Sequence, residues 1–283
     1  MVQSVRFAGP WIALAVIAVM GMAAGAQSPK AAPLSTRLLS TKDYLVPSLP
    51  SVWPWSSIGR INVIRGTARS HCTGTLVGPR HVLTAAHCLY NPLQNSWLNP
   101  TQVHFVAGQS RDGRFAGSSV AAALRISPAF TREIKARPRW DNAPINTVQH
   151  DWAIVVLGYS INLKPVPVRG IRGADLPSAA EPGEIARAGY SEDRPFALSI
   201  HRVCSAQTDF PQRDALRHQC DSMSGDSGSP IFLLNEKDAN LVGIATASVT
   251  DLEPGTGRRT LTTFGVSATA FANVVAATVG RAE

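Results

Sequence analysis

The feature that most limits the possible folds of this chain is a series of short β-prone runs that begins at Ile58. Each run is rich in β-branched or other apolar residues and is interrupted by Gly, Pro or Asn. The runs cover residues 61–64, 74–77, 81–84, 103–106, 152–157, 184–188, 230–234 and 241–247. Many short strands at such spacing predict an all-β barrel or sandwich.

Three segments interrupt or end this series. Residues 162–173 contain Pro165 and Pro167 and are predicted to cross between two halves of the domain. Residues 132–149 form a polar insertion, for which we expect a surface loop. Residues 267–279 contain few helix breakers, and we predict that they form a C-terminal helix.

The N-terminal segment predicts export from the cytoplasm. Arg6 supplies a positive start, residues 11–24 form an apolar stretch, and Ala24-Gly25-Ala26 fits signal-peptide cleavage before Gln27. We therefore assign residues 1–26 to a signal peptide and expect a secreted protein, periplasmic or extracellular, without a stable membrane span after cleavage. An uncleaved anchor is the alternative.

The composition separates an arm from a domain and limits the choice of partners. Residues 27–50 are rich in Pro, Ser, Thr and Ala, which indicates an N-terminal arm or propeptide before a domain at residues 51–283. The domain has enough apolar residues for a full core, because 45% of the chain is hydrophobic.

The formal net charge of +8 comes from scattered basic residues, without the interleaved aromatics typical of proteins that bind single-stranded nucleic acid. We therefore do not expect nucleic acid as a partner.

Four cysteines in an exported chain indicate two disulfides, for which three connectivities exist. A zinc site built from His71, Cys72, His87 and Cys88 is the competing interpretation. Its spacing is unfavourable, because neighbouring residues point apart in a strand or turn and no Cys-x-x-Cys pair is present. We expect neither a metal nor another cofactor.

Gly225-Asp226-Ser227-Gly228-Ser229-Pro230 is the strongest chemical motif. A serine hydroxyl becomes a nucleophile when a base accepts its proton and donors face the oxyanion that develops in acyl transfer. The glycines allow a turn that directs the N–H groups of Gly225 and Ser227 at one point. His87, in Thr84-Ala85-Ala86-His87-Cys88, is the candidate base.

Asp151, at the start of an apolar run, is the candidate that orients His87. Asp112 and Asp141 compete for this role, and a buried structural histidine is the alternative for His87. Ser222, Ser224 and Ser229 lack the flanking glycines of Ser227. The order His, Asp, Ser is the one known for a Ser-His-Asp triad on a two-barrel fold.

Together these motifs resemble the trypsin/chymotrypsin-fold serine proteases, closest to the secreted bacterial trypsin-like and V8-like branch. The resemblance covers roughly residues 58–279 and includes Cys72-Thr73-Gly74-Thr75-Leu76-Val77, Ala188-Gly189-Tyr190-Ser191 and Phe264-Gly265-Val266-Ser267. It implies two six-stranded antiparallel Greek-key barrels, at about 58–164 and 174–266, followed by the helix at 267–279. It also implies a peptide or protein substrate and a monomer.

The resemblance assigns further roles around the nucleophile. It implies the disulfides Cys72–Cys88 and Cys204–Cys220, and an ion pair of Asp226 that orders the oxyanion hole. In trypsin-like members a new α-amine supplies the cation, which predicts a zymogen. The corresponding cleavage falls near residues 42–47, and we predict it after Lys42, with Arg37 or the end at Gln27 as alternatives.

The resemblance also places Asp221 at the floor of the primary specificity pocket, with Ser222, Thr246 and Ser248 as further substrate-binding residues. A buried carboxylate there predicts cleavage after Arg or Lys. Met223 and Ser248 depart from the trypsin pattern. The alternatives are a glutamate-specific protease, which typically has a histidine where Ala245 falls, and a protease-fold binding protein without activity.

Overall fold

The computed structural model describes residues 51–136, 145–171, 185–202, 206–207, 214–235, 238–252 and 259–280. The first half of this part consists of short strands and one α-helix. The strands are β1 (Ile58–Arg65), β2 (Ala68–Gly78), β3 (His81–Thr84), β4 (Tyr90–Asn91), β5 (Ser96–Trp97), β6 (Val103–Ala107), β7 (Gly117–Ile126) and β8 (Ala153–Leu157), and the helix is α1 (Pro128–Ala136).

Six of these strands close into an antiparallel barrel in the order β1-β2-β3-β8-β7-β6. Side chains alternate across each strand, so that residues such as Ile61, Val63 and Phe105 fill the interior and are fully buried. The closed six-stranded barrel confirms the all-β prediction for this half.

The second half contains seven strands and the C-terminal helix. They are β9 (Ile185–Gly189), β10 (Ser199–His201), β11 (Ala206–Gln207), β12 (Ala215–His218), β13 (Pro230–Leu234), β14 (Ala239–Leu252), β15 (Arg259–Ser267) and α2 (Ala272–Val279). They form one antiparallel sheet in the order β10-β9-β13-β14-β15-β12-β11, so the described strands make a seven-stranded sheet where a closed six-stranded barrel was predicted.

This sheet nevertheless curls towards closure. β10 ends at His201, and β11, the next strand in the chain, begins at Ala206. These two strands nevertheless lie at opposite edges of the sheet. A flat sheet of seven strands is about 29 Å wide. Five residue steps span at most about 18 Å. The two edges must therefore lie closer together than in a flat sheet, although no ladder joins them in the described part.

The two halves share one core. Trp55, which lies just before β1, packs edge-on against Phe232 of β13 with ring centroids 5.7 Å apart. The same cluster includes Leu83 of β3, Trp152 before β8 and Phe271 before α2. Burial of these large side chains fixes the halves against each other, and the edge between them is where the candidate residues meet.

Both helices differ from the sequence predictions. The predicted helix at 267–279 begins with a 3₁₀ turn at Ala268–Ala270, where the Ser267 hydroxyl accepts the Thr269 N–H, and only α2 is α-helical. The loop predicted at 132–149 is wrong at its start, because α1 extends to Ala136. Pro128 begins that helix after Ser127, and Phe130 and Ile134 bury its inner face. Within the described part of the chain, no helix is both long and apolar enough to span a bilayer.

Candidate active site

His87 and Asp151 form a close pair at one end of the first barrel. β3 and β8 pair so that Thr84 lies opposite Ala153, which brings the residues that follow β3 next to those that precede β8. The Asp151 carboxylate is fully buried and accepts the His87 backbone N–H at 2.9 Å. Its second oxygen lies 2.6 Å from His87 Nδ1. The carboxylate therefore fixes both the backbone and the ring of the histidine.

Ser227 follows one tight turn and lies within a second. The first runs from Met223 to Asp226, with the Asp226 N–H donating to the Met223 carbonyl at 3.0 Å. The second is closed by the Ser229 N–H and the Asp226 carbonyl at 2.9 Å. Gly225 and Gly228 have φ angles of 91° and 82°, values that suit glycine at the third position of such turns. The local sequence thus sets the backbone that presents Ser227.

The Ser227 segment lies between the two halves. The Thr73 N–H of β2 donates to the Ser227 carbonyl at 2.9 Å, and the Gly228 N–H donates to the Ala245 carbonyl of β14 at 2.7 Å. A Cβ on Gly228 would lie 2.3 Å from the Thr73 oxygen and 2.9 Å from the Ala85 nitrogen. Ala85 is two residues before His87, so the partly exposed Ser227 and the His87–Asp151 pair occupy the same edge of the molecule.

A disulfide joins Cys72 of β2 to Cys88, the residue after His87. The Cys88 sulfur lies 3.8 Å from His87 Nε2 and 3.9 Å from the Ser227 carbonyl oxygen. Cys72, His87 and Cys88 do lie together, but the two sulfurs are bonded to each other, which removes two of the three metal-ligand atoms. Cys220 is also disulfide-bonded, and its predicted partner Cys204 lies outside the described residues.

The Asp226 carboxylate has a cationic partner that sequence reasoning missed. Arg187 of β9 places its Nη1 2.5 Å from Asp226 Oδ1, and both side chains are almost completely buried. The Ser191 hydroxyl donates to the same carboxylate at 2.9 Å, and the Met223 N–H donates at 3.1 Å. Asp226 therefore has an internal ion pair, whereas the predicted α-amine belongs to a segment outside the described residues.

Thr73 is a second residue that the sequence did not single out. Its hydroxyl donates to the Gly225 carbonyl at 3.0 Å and accepts the Tyr190 N–H at 2.9 Å. Thr73 thus fixes the direction of the Gly225 carbonyl, which belongs to the first turn. A polar residue within an otherwise apolar strand is the signal that could have pointed to Arg187, and β2 contains several polar residues that do not distinguish Thr73.

The predicted specificity residues lie around β14 and the segment before Ser227. Thr246 is buried at a bulge of β14, Ser222 is partly buried, and Ser248 is exposed. Asp221 is exposed as well, and its backbone N–H donates to His201 Nδ1 at 2.7 Å. This exposure differs from the buried carboxylate that the resemblance led us to expect.

Two further titratable groups have strongly shifted pKa values. His218 of β12 is fully buried beside the Thr263 hydroxyl, and burial lowers its pKa to about 3. Asp112, one of the competitors of Asp151, is exposed and bonded to Ser110 and Arg114, which lower its pKa to about 2. Asp112 is thus engaged elsewhere, and Asp141 lies outside the described residues.

Comparison with known proteins places this geometry in a family. The profile described as "Trypsin-like peptidase domain" matches residues 72–244. Serine protease 23 of Bos taurus is 31% identical over 171 residues, which are 57% of this chain and 43% of that protein. The chain thus spans less than half the length of the curated relatives it matches.

Two solved structures share the fold. A Glu endopeptidase in complex with MPD has a TM-score of 0.60 and 20% identity, covering 82% of this chain and 94% of that one. The VesB protease of Vibrio cholerae has a TM-score of 0.55 and 18% identity, covering 80% of this chain and 64% of that one. The family profile covers more than half of the chain and includes His87, Asp151 and Ser227. The resemblance inferred from the motifs is confirmed: the chain belongs to the trypsin-like peptidase domain family.

Proposed function

We propose that this chain is a secreted serine endopeptidase that hydrolyses peptide bonds through His87, Asp151 and Ser227. The observation that carries the proposal is the His87–Asp151 pair at 2.6 Å, on the edge where two glycine turns present Ser227. A carboxylate that accepts the Nδ1–H of a histidine leaves Nε2 as the proton acceptor for a nucleophile.

The proposed reaction has two stages. Ser227 Oγ attacks the peptide carbonyl carbon while His87 Nε2 accepts the hydroxyl proton. The tetrahedral intermediate expels the amine, which takes that proton from His87, and an acyl-enzyme remains. Water then attacks the ester carbonyl, with its proton passing through His87 to Ser227. The Gly225 and Ser227 N–H groups stabilise the oxyanion, each by roughly 3 kcal/mol. No step needs a cofactor.

The test of the triad is Ser227→Ala. We expect kcat on peptide or ester substrates to fall by several orders of magnitude. A serine-directed phosphonylating reagent should label the wild type at Ser227 and leave the variant unlabelled. The matched control is Ser224→Ala in the same segment. Full peptidase activity of the Ser227→Ala protein would contradict the assignment, and an inactive wild type would favour the non-catalytic binding protein.

We further propose cleavage after Arg or Lys, with Asp221 as the group that attracts the cation. Asp221 precedes Ser227 by six residues, the offset that carries the pocket carboxylate in trypsin-like enzymes. Because this carboxylate is exposed, solvent weakens its attraction, and we expect a moderate preference.

The specificity assay compares matched peptides with Arg, Lys, Glu, Phe or Ala before the scissile bond, on the wild type and on Asp221→Ser. We expect the Arg and Lys peptides to have the highest kcat/KM and to lose that advantage in the variant. Faster cleavage of the Glu peptide would instead support the glutamate-specific alternative.

Secretion and processing complete the proposal. A disulfide beside the active site is compatible with an oxidising compartment. We propose that the protein acts as a monomer after removal of residues 1–26, with an activating cleavage after Lys42. Edman sequencing of the active secreted form tests this. An N-terminus at Asp43 would support activation there, whereas an intact signal peptide on fully active enzyme would contradict both steps.

A further inference from the structure

A pocket of about 540 Å³ opens on the outer face of the first barrel. Asn62 of β1 pairs with His71 of β2 on one side and with His104 of β6 on the other, so the three side chains share one face. Arg60, two residues before Asn62, and Arg69 belong to the same face and also line the pocket. The pocket wall is therefore basic, and no Asp or Glu lines it within the described part of the chain.

Arg60 is the most confined of these cations. Its guanidinium lies 4.6 Å from the centre of the Phe196 ring. Its Nε is buried and has no hydrogen-bond partner among the described residues, where no carboxylate forms an ion pair with this side chain either. Burial lowers the pKa of Arg60 from its ordinary value, and the interaction with Tyr190 offsets only part of this loss of solvation. The described residues thus give this cation an aromatic ring but no carboxylate. A negatively charged ligand would give the Arg60 guanidinium a charge-assisted hydrogen bond.

The two histidines add no fixed charge to the pocket. His71 is half-buried, and its Nε2 lies 2.8 Å from the Tyr190 carbonyl. Burial lowers the pKa of both His71 and His104, so they are mainly neutral at pH 7. The fixed positive charge comes from Arg60 and from the exposed Arg69. Glu192 influences His71 electrostatically but does not line the pocket.

The pocket adjoins the turn from Met223 to Asp226, which immediately precedes the proposed nucleophile Ser227. A Cβ on Gly225 would lie 2.6 Å from His71 Nε2, so this ring borders the proposed oxyanion hole. Ser227 is tied to β14 through Gly228 and to β2 through Thr73. The proposed specificity residues Thr246 and Ser248 lie on the β14 side, which is the side of the acyl half of the substrate. The leaving half of a bound peptide therefore runs towards β2 and His71.

We propose that this pocket binds the carboxylate of an Asp or Glu side chain within the first few residues after the scissile bond. The proposal rests on the proposed peptidase function and specifies its substrate class. Arg60 and Arg69 supply the charge, and His104 supplies a further hydrogen bond. The single N–H of neutral His71 donates to the Tyr190 carbonyl, so His71 shapes the pocket wall without binding the carboxylate. The enzyme then selects peptides whose leaving half is acidic.

The first experiment uses quenched fluorescent peptides that share one acyl half. Their leaving halves carry Asp and Glu, or the isosteric Asn and Gln, at the second and third positions. We expect kcat/KM to be about fivefold higher for the acidic peptide at low salt, and the ratio to shrink as salt is added. The readout is this ratio, because a general loss of activity leaves it unchanged.

The variants test the cations separately. Arg69→Gln and Arg60→Gln should each move the ratio of kcat/KM values for the acidic and amide peptides towards one. Arg69→Lys should retain this ratio. Arg69→Glu should reverse the preference, so that a leaving half with Lys is cleaved faster. Arg69 is exposed, so its variants should fold even where Arg60→Gln does not. Arg169→Gln, an exposed arginine outside the pocket, is the control for net charge.

A binding measurement separates this proposal from the peptidase assignment. Labelled peptides with the acidic or the amide leaving half are titrated into Ser227→Ala protein, and anisotropy reports their affinity. If the wild type cleaves no peptide, the peptidase assignment fails, and tighter binding of the acidic peptide still supports the pocket. Equal affinity for the two peptides, a wild-type ratio near one, or binding only of a sulfated polysaccharide would overturn the pocket proposal.

Discussion

At the level of single residues, the Asp226 carboxylate supports the turn from Met223 to Asp226, which immediately precedes Ser227. It accepts the Met223 N–H at the start of that turn and is balanced by Arg187. Removing one partner of a buried ion pair typically costs about 3–5 kcal/mol, because the other charge is left without compensation. The order of the proposed oxyanion hole therefore depends on a residue of β9.

We expect Arg187→Met to lower kcat by about 100-fold with a smaller change in KM, as for the loss of an oxyanion donor. Titration of active sites with a phosphonylating reagent separates a misordered turn from unfolded protein. Since the described partners of Asp226 are internal, we expect a chain that begins at Ser51 to be active although it lacks the α-amine of Asp43. The proposed cleavage after Lys42 would then act by removing the N-terminal arm. If that chain is inactive while Arg187 is intact, the α-amine predicted from the resemblance is the cation that matters.

Sequence motifs predicted residues that the structure brings together, but not the ones that hold them. His87 and Asp151 were predicted as a pair, and the structure brings them to 2.6 Å. Arg187 and Thr73 were not found, because a single buried polar residue in a strand has no motif of its own. Their roles depend on contacts between residues more than 35 positions apart, such as Tyr190 with Thr73.

At the level of secondary-structure elements, β12 and β15 confine His218 in a neutral state. Burial holds its pKa at about 3, whereas an unfolded histidine titrates near 6.5. The unfolded chain therefore binds the extra proton between these values. The stability contributed by neutral His218 is fully present above about pH 6.5 and is lost as the pH falls towards 3.

We expect the free energy of unfolding to decrease on acidification by up to about 1.4 kcal/mol per pH unit through His218. His218→Gln should remove this part of the slope. Urea titrations of both proteins at about pH 7 and about pH 4.5 measure the difference, and histidines common to both cancel. Parallel losses in the two proteins would show that His218 is not the titrating group.

Strand patterns were more informative than helix patterns at this scale. The short apolar runs located β3 and β8, next to His87 and Asp151, because both strands are buried along their whole length and are rich in aliphatic residues. The start of α1 was missed, since Ser127 and Pro128 are helix-start signals that precede a polar stretch predicted to be a loop. The seven-stranded order of the second sheet depends on long-range pairing that no local pattern encodes.

At the level of the whole molecule, the candidate active site lies between two halves that share a core. Trp55 reaches Phe232 across the boundary, and Thr73 binds the Ser227 segment across it as well. We expect enzyme activity during refolding to appear no earlier than burial of the tryptophans. Stopped-flow fluorescence and a chromogenic ester measured together test this order. Activity that precedes the fluorescence change would show that the halves need not dock.

The distribution of the proposed catalytic groups has a consequence for the cell that makes this protein. The proposed base and its carboxylate lie in the first barrel, and the proposed nucleophile lies just before β13 of the second sheet. If this triad is correct, a chain whose second half has not yet folded has no nucleophile in place beside His87, and it cannot digest its neighbours or itself. Folding of the second half would thus delay proteolysis until the whole domain has formed.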